Sequence, residues 1–544
     1  MATATFDYVI VGSGTAGSVL SHRLSEDPNV SICVLEAGGR DLSPFIHVPA
    51  GFMKTLVDPK VNWRYEMMPS EGTAGRVVMQ PRGKTLGGSS SINGHVYNRG
   101  QRMDFDVWAQ MGNRGWGYAD ILPYFKRSER REGDGDDTFR GRSGPFVVTD
   151  LDWHHPLCDA FIDGAASLGI PRNADYNGAS QDGVGYFQRS IYKRRRMSAA
   201  RAYLRTASAR GNVPVMTGAH VSRSLLEGKT ARGVAFRRGG ELSEVQARVG
   251  VLLCGGAINS PQLLQLSGIG PGWLLQERGI EVKHELPGVG ENLRDHFAVR
   301  TVARVKDTDT INERSRGLRL GLEIAKYFAG LESILTLQPS LVHCFWHSNE
   351  KTRRSDLQVT FTPASYKEGV QSQLDDFPGV TVAPWQQRPE SRGYVRVRSS
   401  EPFEPPDIQP NYLAQEEDRQ VLLGGLRLAR RLLRTDALAP YYVREELPGD
   451  EVRTDDEMLD FARGRGTTCF HVMGTCKMGP AGDPQAVVDD TLKVHGLENL
   501  SVIDASIMPT MPSANLNAST LMIAEKASDM LRRRSPLPAE TLSD

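Results

Sequence analysis

At 544 residues the chain is longer than one hydrophobic core ordinarily serves, so two lobes around a shared cleft are expected. Lys plus Arg and Asp plus Glu each number 65, which leaves no net field to draw the protein toward nucleic acid or an anionic membrane and points to a small-molecule partner. The six cysteines (Cys33, Cys158, Cys254, Cys344, Cys469, Cys476) form neither a CxxC pair nor a Cys/His set at metal-ligand spacing, so no metal site is expected and a reducing, cytoplasmic setting fits.

The run FDYVIV at residues 6–11 is apolar and β-prone, and begins too early to leave room for a signal peptide. It passes into GSGTAG and the helical pattern SVLSHRLSE, a predicted strand, tight turn and helix. Gly12, Gly14 and Gly17 stand at GxGxxG spacing. Gly12 permits the turn, Gly14 lets backbone approach a pyrophosphate, and Gly17 lets the helix pack on the sheet, with Ser13, Thr15 and Ala16 in the same phosphate-facing loop. A second strand, SICVLEAGG, ends in Glu36 and Ala37, where a carboxylate accepts ribose hydroxyls. Strand, turn, helix, strand and acid in that order predict dinucleotide binding. NAD and FAD both use this unit, so other segments decide between them.

A second glycine-rich block, PRGKTLGGSSSINGHVYNRG, runs from Pro81 to Gly100, and its Gly87-Gly88-Ser89-Ser90 run offers successive backbone N–H groups to a phosphate or polar ring. His154-His155 lacks companion ligands and is expected to be a surface pair. Lys193-Arg194-Arg195-Arg196 precedes a helix start and is expected to form a solvated basic face. A third block, CGGAINSPQLLQLSGIG from Cys254 to Gly270, places a strand end and Gly255-Gly256 before another helix. The longest uncharged stretch, Val249 to Gln276, carries Asn259, Ser260, Pro261 and Gln262, so no membrane span is expected. In VHCFWHSNE, residues His343, Phe345, Trp346 and His347 suit either a substrate pocket or an aromatic core. FHVMGTCKMG (470–479) and LSVIDASIMPTMPSANLNASTLMIAEKASDML (500–531) follow, the second ending in a helix opened by Ser519 and Thr520. The last residues, 532–544, are expected to fray.

Together these blocks resemble the glucose-methanol-choline (GMC) oxidoreductase family, flavoenzymes that oxidise alcohols, and within it the choline dehydrogenase-like bacterial branch. Gly83 to Asp106 resembles the family's first signature and Gly256 to Gly270 its second, while GVGENLRDH (288–296) looks like a further family segment; the match runs nearly end to end. The resemblance implies an α/β fold. A Rossmann-like FAD-binding domain would be assembled from 1–155, 201–300 and 466–531, with an α+β substrate domain of antiparallel sheet and helices from 156–200 and 301–465. It puts the ADP part of FAD on Gly12, Gly14, Gly17 and Glu36, Val221 near the adenine, Asn93, Gly94, His95 and Val96 along the flavin ring, and Asp504 with Ala505 near the ribityl chain and pyrophosphate. Arg82, Leu86, Gly87, Ser90, Gly256 and Asn515 complete the expected cofactor contacts. Some relatives attach FAD covalently through a histidine at the position Ile92 fills here, so the FAD is expected to be noncovalent.

The same resemblance implies that His471, in an H-x-x-G-T segment, is the catalytic histidine. Oxidising an alcohol requires removal of the hydroxyl proton as hydride leaves carbon, a task suited to neutral imidazole near pH 7. The family's second substrate-facing residue, His or Asn, aligns with Asn517 in SANLNAST; an amide can hold the substrate oxygen but cannot act as the base. Asn515 takes that place if the register shifts by two, or caps the helix. The expected reaction is oxidation of an alcohol to an aldehyde or ketone, with electrons passed to a quinone or other acceptor. An oxidase passing them to oxygen, with hydrogen peroxide as product, shares every motif. A lyase or light-driven decarboxylase of the same fold is disfavoured by the retained histidine and asparagine. A quaternary ammonium substrate would call for an aromatic cage and a carboxylate, neither of which the sequence places.

Overall fold

The computed structural model describes residues 4–352, 354–367 and 373–542. A seven-stranded sheet carries the larger lobe, in the order Val215–Thr217, Ile32–Glu36, Ala4–Val11, Glu241–Leu253, Thr230–Arg238, His220–Glu227, with Leu500–Val502 also paired to Glu241–Leu253. Ala4–Val11 lies parallel to both neighbours, and Leu500–Val502 is parallel to Glu241–Leu253. Ile32–Glu36 is buried at every residue, as a strand covered on both faces must be. The long strand Glu241–Leu253 changes character along its length. Its first half pairs antiparallel in an exposed hairpin, and its last four residues are buried between parallel partners.

The helix Thr15–Leu24 packs against the helix Asn517–Leu531, which joins segments far apart in sequence. A buried polar knot fixes that seam: Arg23 donates twice to Glu525 (2.8 and 3.0 Å), and Arg127 Nε and Tyr203 Oη donate to the same carboxylate. Removing one partner would leave a charge stranded in low dielectric.

The second lobe is a six-stranded antiparallel sheet in the order Tyr442–Leu447, Thr301–Val305, Gly379–Gln386, Leu357–Thr362, Val342–Trp346, Gly183–Tyr186. Side chains alternate between its faces. Leu357, Val359, Phe361, Val380 and Val382 enter a core with Leu157 and Phe161 of the helix Pro156–Ser167 and Val421, Leu428 and Leu432 of the helix Glu416–Leu433. Gln358, Thr360, Thr362, Thr381, Ala383 and Trp385 face the cleft between the lobes. The architecture is therefore α/β, with a mixed, mostly parallel sheet joined to an antiparallel sheet backed by helices. No helix among the described residues is long and apolar enough to cross a membrane.

Three local expectations are corrected. Arg196 is not part of a solvated face: Lys193 and Arg194 make a tight turn at positive φ, and Arg196 is buried, donating to the carbonyl of Ile46 (2.8 Å) and to the carbonyl and amide oxygens of Asn93 (both 2.7 Å). His155 is buried, unlike His154, and its Nδ1 accepts from Leu157 N (3.2 Å) to cap the helix Pro156–Ser167. Residues 532–542 are docked rather than frayed, since Leu537 and Leu542 pack on the main core and Lys126 pairs with Glu540 at 2.6 Å.

Candidate active site

The C-terminal ends of the parallel strands converge on one cleft, where open α/β sheets bind ligands. Gly12 turns the chain at φ +98°, and a Cβ on Gly17 would stand 2.0 Å from the Gly12 carbonyl oxygen, so the helix sits too close to the turn for any side chain there. A Cβ on Gly88 would lie 2.7 Å from Gly14 Cα; the first two glycine-rich blocks therefore cross backbone on backbone. Helices starting at Thr15, Gly256 and Asn517 all open onto this cleft; the residue before each contributes no side-chain cap, and the Gly256 N–H is taken by Asp504. Their positive dipole ends suit a phosphate-bearing ligand.

Two buried carboxylates mark the cleft. Glu36 accepts from Ser13 N (3.0 Å), Ser13 Oγ (2.7 Å) and Gly38 N (2.8 Å). Asp504 accepts from Gly256 N (2.8 Å), Ser260 Oγ (2.6 Å) and Ser506 N (2.8 Å). Burial raises the pKa of each, and these donors oppose that shift. Of the other residues expected at a cofactor, Gly12, Gly14, Thr15, Ala16, Ala37, Arg82, Ser90, Asn93, Gly94, His95, Val96, Val221, Gly256, Ala505 and Asn515 line the cleft. Ser13, Gly17, Leu86 and Gly87 do not; they shape the turns behind it. Ile92 also faces the cleft, while His95 is buried with Nε2 against the Pro49 carbonyl (3.1 Å).

At the inner end stands His471. Its Nε2 is 3.0 Å from Asn515 Nδ2, and its Nδ1 is 2.9 Å from His296 Nδ1. His296 Nε2 in turn meets the Gln387 carbonyl at 2.7 Å. These contacts fix the protons. A carbonyl only accepts, so His296 carries its hydrogen on Nε2 and presents a lone pair at Nδ1; His471 therefore donates from Nδ1 and keeps its lone pair at Nε2, facing Asn515 and the cavity. Burial, then the neighbouring His296 and Arg82, holds the His471 pKa well below its ordinary 6.5, so both rings are neutral at pH 7.

The backbone around His471 is clamped. Phe470 has φ +67°, a strained conformation for a bulky residue that persists only where neighbours enforce it. Asp295 Oδ1 accepts from His471 N (2.7 Å) and its other oxygen accepts from Thr468 and Tyr412, while Arg82 donates to the Phe470 carbonyl. Burial pushes Asp295 up to about 6, against the pull of those donors.

The expected partner of His471 is corrected by this geometry. Asn517 is the first residue of its helix, and its Oδ1 accepts from Thr15 Oγ1 at 2.8 Å, on the side of the glycine-rich loop. Asn515 lies in the segment before the helix and is the amide that reaches His471, with its Oδ1 buried and unpartnered. His343 and Phe345 belong to an aromatic core with Tyr176 and Phe187 rather than to the cavity wall. Sequence reasoning left Asp295, His296 and Arg196 without roles, although the first two lie within the GVGENLRDH segment. No group of three or more His, Cys, Asp or Glu residues that could hold a metal occurs among the described residues.

A divided nucleotide-binding sheet, a long cleft with helix N-termini opening onto it, and a buried imidazole under an antiparallel cap together define a two-lobed cofactor-dependent oxidoreductase. The chain belongs to the GMC oxidoreductase family, whose two models match residues 6–298 and 389–524, and the protein is a flavoenzyme of that family. It is 41% identical over 546 residues to an oxygen-dependent choline dehydrogenase of Staphylococcus aureus, covering 98% of this chain and 94% of the relative. Among solved structures it resembles pyridoxine 4-oxidase from Mesorbium loti (TM-score 0.88, 32% identity, 97% of this chain and 100% of that one). It also resembles a formate oxidase of Aspergillus oryzae (TM-score 0.90, 26% identity, 98% of each chain).

Proposed function

We propose that the protein oxidises an alcohol to an aldehyde or ketone, with His471 Nε2 taking the hydroxyl proton. The observation that carries this reading is the proton order through Gln387, His296 and His471, which leaves one lone pair on a neutral imidazole facing the cavity. FAD bound along the cleft would supply the hydride acceptor. Asn515 Nδ2, which meets that lone pair in the structure, is placed to donate to the substrate oxygen once the hydroxyl engages Nε2, stabilising charge as it develops. His296 is a positioning residue: it holds the tautomer and orientation of the base.

The test is an anaerobic screen of alcohols followed by admission of air. An alcohol that bleaches the flavin band supports the reading, and a panel that leaves the band intact defeats it. For the acceptor, the names of the relatives favour dioxygen over the quinone expected from resemblance alone. Stoichiometric peroxide formed at the rate of turnover would agree with dioxygen, whereas slow reoxidation accelerated by a quinone dye would reverse that choice.

The cofactor is proposed to be noncovalent, because Ile92 cannot form a link to the ring. His95 is turned to the Pro49 carbonyl. Acid precipitation should leave the yellow colour in the supernatant; a yellow pellet would show a covalent bond.

A further inference from the structure

The cap wall of the cavity carries a cation without a counter-ion. Arginines held inside the protein are met by carboxylates or carbonyls: the buried Arg99 and Arg140 by Glu129 and Arg294 by the Pro389 carbonyl, and the half-buried Arg430 by Glu445. Arg300 lines the cavity, lies over the Tyr366 ring at 5.0 Å, and has neither a carboxylate nor a hydrogen-bond acceptor among the described residues. The only described carboxylates on the cavity wall are Glu36 and Asp504, both engaged at the nucleotide end of the cleft.

Sheet register shows what surrounds Arg300. Thr301 pairs with Val382 and Thr360 with Ala383, so Arg300, one residue earlier, continues the cross-strand row of Ala383 and Thr360. The next row, nearer His296, contains Trp385 paired with Gln358. Gln358 is 1% exposed and lines the cavity with both its amide nitrogen and oxygen unpartnered, and the Trp385 indole N–H is also unpartnered. Two rows of one strand are roughly 7 Å apart. The wall thus presents unused N–H donors and one permanent positive charge, with a small side chain, Ala383, leaving room in front.

Resting on the alcohol-oxidising reading of His471, we propose that the substrate is a hydroxy acid: its hydroxyl meets His471 and Asn515, and its carboxylate is taken by the Arg300 guanidinium with help from Gln358 and Trp385. A guanidinium fork matches a carboxylate in bidentate geometry. A cationic alcohol such as choline would instead meet an uncompensated positive charge.

The holoenzyme provides the test. Benzoate, which cannot be oxidised, should bind and perturb the flavin spectrum, and Arg300→Gln should weaken that binding on the order of 100-fold. In anaerobic reduction, 4-(hydroxymethyl)benzoate should be preferred over its methyl ester and over choline, and Arg300→Gln should lower the acid-over-ester preference by a similar factor. Arg300→Lys, which keeps the charge but loses the fork, should fall between. Benzoate affinity unchanged in Arg300→Gln, or a wild-type preference for choline or the ester, would overturn the proposal. If no alcohol reduces the flavin while benzoate binding still depends on Arg300, the alcohol-oxidising reading fails and the anion site stands.

Discussion

Replacing His471 with alanine is expected to lower the rate of anaerobic flavin reduction by about two to four orders of magnitude, the usual worth of a positioned general base, with FAD still bound. Cofactor retention follows from the structure, because the glycine-rich loops, Glu36 and Asp504 are held by contacts that do not involve the imidazole. The pH profile is the sharper readout. Burial, His296 and Arg82 hold the His471 pKa well below 6.5, so the active neutral form persists below the pH at which free histidine protonates. The wild-type rate should therefore stay level from pH 8 down through 6.5 and fall only at more acid pH, as Nε2 gains a proton and ceases to accept one. The alanine variant should lose that acid limb. A variant that reduces its flavin at nearly the wild-type rate, with the same profile, would place the base elsewhere.

Asn515→Ala should cost roughly two to three orders of magnitude in the same assay, since one donor to a developing alkoxide in a dry site is worth that much. It should leave the acid limb in place, because the ionising group is still His471. Asn517→Ala should behave differently. Its amide is bonded to Thr15 across the seam between the helices Thr15–Leu24 and Asn517–Leu531, so its loss removes about 1 kcal/mol of hydrogen bonding and should appear as looser FAD and a lower melting temperature. A larger drop in reduction rate for Asn517→Ala than for Asn515→Ala would reverse the assignment.

The difference between these two asparagines shows what sequence could and could not reveal. Gly12, Gly14, Gly17 and Glu36 were legible because their chemistry lies within one short βαβ unit, where spacing alone dictates geometry. Asn515 and Asn517 lie two residues apart in a polar segment, and only the point where the helix starts decides which amide faces His471. Arg196 looked solvated because charge runs usually are; its burial depends on a tight turn at Lys193 and Arg194 that carries it under Asn93. Asp295 and His296 act on a residue far along the chain, and no local pattern reports such a contact. Arg300 acquires meaning only from the register of strands whose sequence alternation does not say which face meets the cleft.

The strand Leu500–Val502 completes a sheet whose other members lie at residues 4–36 and 215–253, and the helix Asn517–Leu531 covers the helix Thr15–Leu24 beside it. During translation the early βαβ unit must wait, with one flank of apolar surface uncovered, while more than half the polypeptide is still to be made. The cap, whose strands span residues 183–447, has all its parts sooner. Closure of the nucleotide-binding lobe is thus a late, long-range event, slow for reasons of loop entropy and exposed to aggregation in the interval. Expression should therefore respond more to chaperone capacity than to surface substitutions.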